Sequence, residues 1–335
     1  MTRQLLGILF FLITFSIRAN AQMERLFKPS VAISYTNFPS SKLIDSTGSF
    51  SNQTTQLAFF IPVFSHLNRT DTSAKSTYFQ LMAHGNGSLS NPDLTAVLNN
   101  QNLIGATVGL TGLLMQNRKN IFSVSLAATS RNDETTISNP EIRYSGIAIY
   151  RRNVSPGFSF HLGAGYSYII GRGVVLPAMG LSFKTGKRSR MIINFPNRIS
   201  FVQRAGNKLM FTAYLKPQGG FNLISNQSKY LISTSELYLR QRESHLGIST
   251  RYRISKSFNV TADIGWAARR SISLTEGLTK NADTFYKTKI ESGVYFSVGI
   301  KYIFHSVKRE KKDASLDIDK EELLNDPDFY DIISE

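Results

Sequence analysis

Residues 292–304 read Ser-Gly-Val-Tyr-Phe-Ser-Val-Gly-Ile-Lys-Tyr-Ile-Phe. Val294, Phe296, Val298, Ile300, Tyr302 and Phe304 fall in one file, and Gly293, Tyr295, Ser297, Gly299 and Lys301 in the other. A strand sends alternate side chains to opposite faces. One face is therefore continuously apolar and ends in aromatics, while the other is small, polar and charged. That contrast suits a strand between lipid and a watery barrel interior. Few folds accept such a segment, and Phe304 is read as the terminal barrel aromatic.

The N-terminus points the same way. Arg3 precedes a largely apolar run from Leu5 to Ile17, and Ala19-Asn20-Ala21 is a small-x-small cleavage pattern. This reads as a secretory signal over 1–21, too short for a spanning helix. The expected destination is the outer membrane, with a barrel over 22–304 and a charged periplasmic tail over 305–335. The chain has no cysteine, so disulfides and thiolate chemistry are excluded.

Charge is unevenly spread. The chain holds 39 Lys+Arg and 23 Asp+Glu; setting aside two Arg before residue 22, and five basic and ten acidic residues after 304, leaves 32 basic and 13 acidic, net +19. In a cytoplasmic protein that excess would suggest nucleic acid. The export signal argues against nucleic acid as a partner. In a membrane the same charge either snorkels to the rims or lines a lumen and favours anions.

Alternating segments with turn signals recur along the chain, as in an up-and-down antiparallel transmembrane barrel. About 14 strands can be counted, with 12 the main alternative, since single-chain bacterial barrels have an even number. The count of 14 requires a turn at Phe195-Pro196-Asn197, and proline is unwelcome inside a ladder. Long connections at 38–53, 88–101, 131–140, 218–234 and 273–287 alternate with short ones near 117–120, 153–157, 184–188, 205–207 and 255–257. The long set is expected outside the cell and the short set in the periplasm.

On the strand after 218–234, Gln241, Glu243, His245, Arg251 and Arg253 share the face expected to be inward. Neighbouring strands are expected to add Asp263, Arg269, Glu291 and Lys301. A carboxylate two positions from a histidine can form a base and its orienter, but the same set serves equally as an acid–base ladder filling a lumen. None of the five histidines lies in a G-x-S-x-G or H-E-x-x-H context, so no enzyme activity is expected, and nothing supports a cofactor. A membrane-embedded hydrolase is the remote alternative.

Four segments carry a family resemblance: Arg172-Gly-Val-Val-Leu-Pro-Ala-Met-Gly-Leu-Ser-Phe183, Glu236-Leu-Tyr-Leu-Arg-Gln-Arg-Glu243, Asp263 to Arg270 and Gly299 to Phe304. Over roughly residues 30–304 the chain resembles a Gram-negative outer-membrane β-barrel family of unknown function. The resemblance implies an outer-membrane barrel and no catalytic residues.

The expected role is a narrow conduit for small solutes, preferring anions if it conducts. A structural, adhesion or assembly-scaffold barrel is the alternative. Expected partners are outer-membrane lipids and lipopolysaccharide, the barrel-assembly machinery, and a periplasmic partner through 305–335. Lipid-facing Ile264 and Val298 are expected to reject charge, and inward Gly265 and Ser297 to accept polar replacements more easily.

Overall fold

The structure is a computed structural model that describes residues 28–69, 76–94, 102–116, 119–133, 141–167, 173–224, 237–277 and 283–304. The expected signal segment and the acidic tail lie outside these residues. The strands are β1 (Ser30–Lys42), β2 (Ser49–Arg69), β3 (Ser76–Leu94), β4 (Leu103–Gln116), β5 (Asn120–Asp133), β6 (Arg143–Ser155), β7 (Phe158–Ser167) and β8 (Val174–Lys184). They continue as β9 (Ser189–Phe195), β10 (Arg198–Ala205), β11 (Leu209–Ile224), β12 (Leu237–Arg253), β13 (Phe258–Thr275), β14 (Thr284–Ile290) and β15 (Gly293–Ile303).

Each strand pairs antiparallel with its neighbours, and β1 pairs with β15 to close the ring. β14 and β15 lie end to end against β13, which takes Ile290 at Arg270 and Gly293 at Ala267. Fifteen segments therefore make a 14-position closed barrel, with no helix among the described residues. The turn at Pro196-Asn197 that this count needs is present.

The alternation of the last strand is realised as lipid-type packing. Val294, Phe296, Val298, Ile300 and Tyr302 are exposed outside, and Tyr295 and Gly299 are buried inside. The same outward file continues round the wall through Ile264, Val108, Leu126, Leu162 and Leu181. Val298 lies in the middle of its file, so Val298→Arg is expected to cost about 2–4 kcal/mol. Urea unfolding in lipid vesicles measures it. The expectation for Gly265 is corrected: a Cβ there would lie 2.6 Å from the Leu246 carbonyl oxygen and 2.7 Å from the Tyr295 hydroxyl. Any side chain at Gly265 must displace backbone or ring.

The wall is of unequal height. β9 and β10 have 7 and 8 residues, whereas β2, β3, β12 and β13 have 21, 19, 17 and 18. About 9–11 tilted residues cross a bilayer. The low wall is thus barely membrane-high, and the tall wall rises by about 10 further residues, or ~30 Å of strand. Segments read as long loops are in part this rise. β1 and β2 run through 38–53 with only Leu43–Gly48 between them, and β11 continues to Ile224.

Proline explains where neighbours stop. Pro177 is paired on β7, but β8 meets β9 only from Met179 onward. Pro217 is paired on β12, above the last β10 partner at Leu215. Pro92 is paired on β2, above the last β4 partner at Ser90. Each lacks a donor on a side where no acceptor strand remains.

Freed from β6 above Thr129 and from β10 above Leu215, β5 and β11 swing across the barrel and meet in parallel at Asn132 and Leu223. Above the lipid belt the 14 positions thus reduce to nine, β1 to β5 and β11 to β14. This smaller upper barrel has an apolar core of Leu43, Phe50, Leu94, Leu103, Ile224, Leu239, Ile272, Leu274 and Ile290, with Tyr286 against it.

Candidate functional site: the barrel lumen

Directly beneath that core sits a buried ionic cluster. Glu243 and His245 occupy adjacent inward positions of β12, and Glu243 Oε1 lies 2.9 Å from His245 Nε2. Arg270 of β13 donates from Nε to Glu243 Oε2 at 3.3 Å, and from Nη1 to Ser41 Oγ of β1 at 2.8 Å. Phe38 stacks on Tyr295 with centroids 5.2 Å apart, and His245 lies 4.5 Å from the same Tyr295 ring. The Tyr295 hydroxyl shares a 2.6 Å hydrogen bond with Tyr214 of β11. A buried charge is tolerated only with partners, and here one carboxylate contacts both the Arg270 guanidinium and the His245 ring. The cluster ties β1, β11, β12, β13 and β15 together at one height.

Sequence spacing found Glu243 and His245 but chose the wrong arginine. β13 carries an extra residue opposite β12, because Arg242 faces Ser271 and Ser244 faces Ala268. Arg269 takes a left-handed φ of 51°. The bulge slips the phase, so Arg270 enters the lumen and Arg269 is exposed. The inner face at this height is packed shut by Ala267, Arg270 and Ile272, so Arg269 stands outside. The slip had a signal in the sequence: strict alternation would put Arg270 on the lipid file after Trp266 and Ala268, where a charge is costly.

The remaining expected residues spread along the barrel's height. Gln241 is half-buried one inward step above Glu243. Asp263 is half-buried, with Ser249 and Ser297 as its register partners. Arg251, Arg253 and Lys301 are half-buried toward the turn end. Glu291 is corrected: it is exposed at the break between β14 and β15, and its backbone carbonyl, not its carboxylate, faces Arg270. Phe304 is exposed, meets Tyr302 edge-on at 4.9 Å, and donates its N–H to the Pro29 carbonyl.

Burial of the inward side chains varies with height. At mid-height every wall position supplies a buried inward residue, among them Phe60, Met82, Thr111, Ser125, Ile149, His161, Ile192, Ser200 and Tyr214. Glycine here does not mean open space. Gly180 has no room for a Cβ, which would clash with the Ile193 carbonyl oxygen and with the His161 ring. Toward the turn end, inward Arg190, Arg204, Arg251, Arg253 and Lys301 are half-buried around a lower basin. Toward the loop end, the inner face of the low wall carries half-buried Ser145, Ile147, Gly165, Leu176 and Ala178, and Arg131 of β5 is exposed. Arg198 and Lys216 lie between the basins, with Arg198 4.8 Å and Lys216 5.7 Å from the Tyr214 ring. Sequence reading missed Arg131, Arg198 and Lys216 as lumen residues, although each lies on an inward file. Among the described residues no group of three His, Asp or Glu could hold a metal ion.

Solved structures with similar strand arrangements include an outer membrane channel, COG4313, from Pseudomonas putida F1 (8% identity, covering 85% of this chain and 98% of that one, TM-score 0.42). The KdgM porin is 12% identical over 82% of this chain and 99% of its own, with TM-score 0.33. The translocator domain of the autotransporter NalP from Neisseria meningitidis is 10% identical over 90% and 96%, with TM-score 0.32. Scores this low carry no weight for function. No protein of curated function matches the sequence. The family described as "Domain of unknown function (DUF6268)" matches residues 17–303, and the chain belongs to that family.

Proposed function

We propose that the protein lies in an outer membrane, flanked by its lipids and lipopolysaccharide, as a narrow conduit that favours small anions. The observation that carries this reading is the sign of the inward charge. Arg131, Arg198, Lys216, Arg190, Arg204, Arg251, Arg253 and Lys301 face the interior from one end to the other. Glu243 is engaged by Arg270 and His245, and the other inward carboxylates among the described residues, the half-buried Asp263 and the buried Asp133 at the top of β5, are outnumbered by these cations. Fixed positive charge in a confined passage raises the local anion concentration.

Planar-bilayer recordings of refolded protein test it. Reversal potentials across a salt gradient should indicate anion preference, weakening near 1 M salt, where the screening length is about 3 Å. A cation-preferring channel would refute the assignment. The belt of buried residues at mid-height favours a second reading, a structural or scaffold barrel. Absence of any conductance would decide for it.

A further inference from the structure

We infer that solute passes between the outside and the lumen sideways, over the low wall and beneath the β5–β11 seam, with Arg131 as the anion-binding group of that side cup. The inference rests on the conduit reading and adds its route and its charged contact.

Three observations converge. The upper barrel is closed on the axis, since Leu94, Leu239, Ile272 and Leu274 are each at most 1% exposed. Its wall is complete only through the seam at Asn132 and Leu223, which leaves β6 to β10 outside it. The low wall's upper inner face, by contrast, is half-exposed and built from small or short side chains such as Ser145, Gly165 and Ala178.

Arg131 is placed at this opening. It continues the inward file of β5, two residues above the last β6 partner at Thr129. Its guanidinium reaches toward β11: a Cβ added to Gly220 would lie 2.6 Å from Arg131 Nη1, and one added to Gly105 would lie 3.5 Å from its Cγ. The two glycines leave the space that the side chain occupies. Arg143 beside it is spoken for, paired with Glu141 at 2.5 Å and laid 3.9 Å over the Phe221 ring. Among the described residues Arg131 is the cation that opens onto the cup while the surrounding strands enclose it, suited to a small carboxylate, sulfonate or phosphate.

The chain has no native cysteine, so single cysteines report cleanly. The apex probe Leu274→Cys and the cup probe Ser145→Cys, both checked for folding by heat-modifiable migration, are treated from outside with a methanethiosulfonate bearing a sulfonate. Ser145→Cys should react at least about tenfold faster, because a buried thiol is inert. Comparable rates in folded protein would overturn the side route. Relative to a trimethylammonium reagent, and corrected for each reagent's rate with free thiol, the sulfonate should be favoured about tenfold at Ser145→Cys. Arg131→Gln should bring that ratio close to one, and an unchanged ratio would remove Arg131 from the proposal.

The seam itself is then locked. Oxidised Asn132→Cys/Leu223→Cys should conduct like its reduced form. Closure on oxidation with reopening by reductant would mean that the seam parts and the route is axial. The labelling arms need no current, so a silent barrel with the expected labelling would sink the conduit reading and leave the side cup standing.

Discussion

Glu243→Leu should lower the unfolding free energy by about 3–5 kcal/mol. The carboxylate is 5% exposed and its partner Arg270 is 2% exposed at the side chain. Removing it strands a guanidinium among Phe38, Phe50 and Ala267 with no counter-charge. The companion Glu243→Leu/Arg270→Met should recover most of the loss, because an apolar pair of similar volume needs no compensation. Unfolding in vesicles can be followed by the fluorescence of Trp266, which is the chain's single tryptophan. The double-mutant cycle isolates the pair. A single-mutant loss below about 1 kcal/mol, or a double mutant no better than the single, would mean the cluster does not hold the strands.

Phe50→Ala should cost a similar amount, about 3–5 kcal/mol, through lost burial and the cavity left behind. Phe50 is 1% exposed in the core of the upper barrel and lies 5.5 Å from the Arg270 guanidinium. It therefore joins the apolar cap to the ionic cluster. Ile44, only six positions away and 58% exposed, is the control. Ile44→Ala should stay within about 0.5 kcal/mol. Equal losses at the two positions would show that the upper barrel is not a packed unit.

Within the lipid belt the fold was legible because one rule governs it. Val294 to Phe304 and Phe258 to Trp266 alternate apolar-out, and Pro196 announced its turn. Above the belt the rule reverses. On β2, Leu57, Phe59 and Ile61 face lipid, but higher up Phe50 faces inward while Ser51 and Gln53 face water. Where outside changes from lipid to water, the apolar file changes sides. A strand crossing that boundary then loses its period and resembles a loop, which is why 38–53 and 218–234 look like connections in the sequence.

The candidate site was legible only where it stayed on one strand. Glu243 and His245 are two residues apart on β12, so their common face followed from spacing alone. Arg270 joins them through a bulge, and a bulge is a property of two strands in register, not of one sequence. Arg131 becomes significant only because β5 and β11 cross the barrel. That crossing follows from the shortness of β9 and β10.

One feature of the wall bears on how it can be built. β1 and β15 pair from Ser30 with Ile303 to Asn37 with Phe296, so the ring is sealed by strands separated by nearly the whole described chain. Contacts so distant in sequence form late, after the local hairpins are in place. Until then the barrel is an open curved sheet whose two border strands offer unpaired N–H and C=O groups. In hydrocarbon each of those groups would be costly. Insertion must therefore be coupled to arrival of the final strand. A chain interrupted before Gly293 would leave β1 and the lower half of β13 as unpaired edges open to the wrong partner, and aggregation rather than a smaller pore is the outcome.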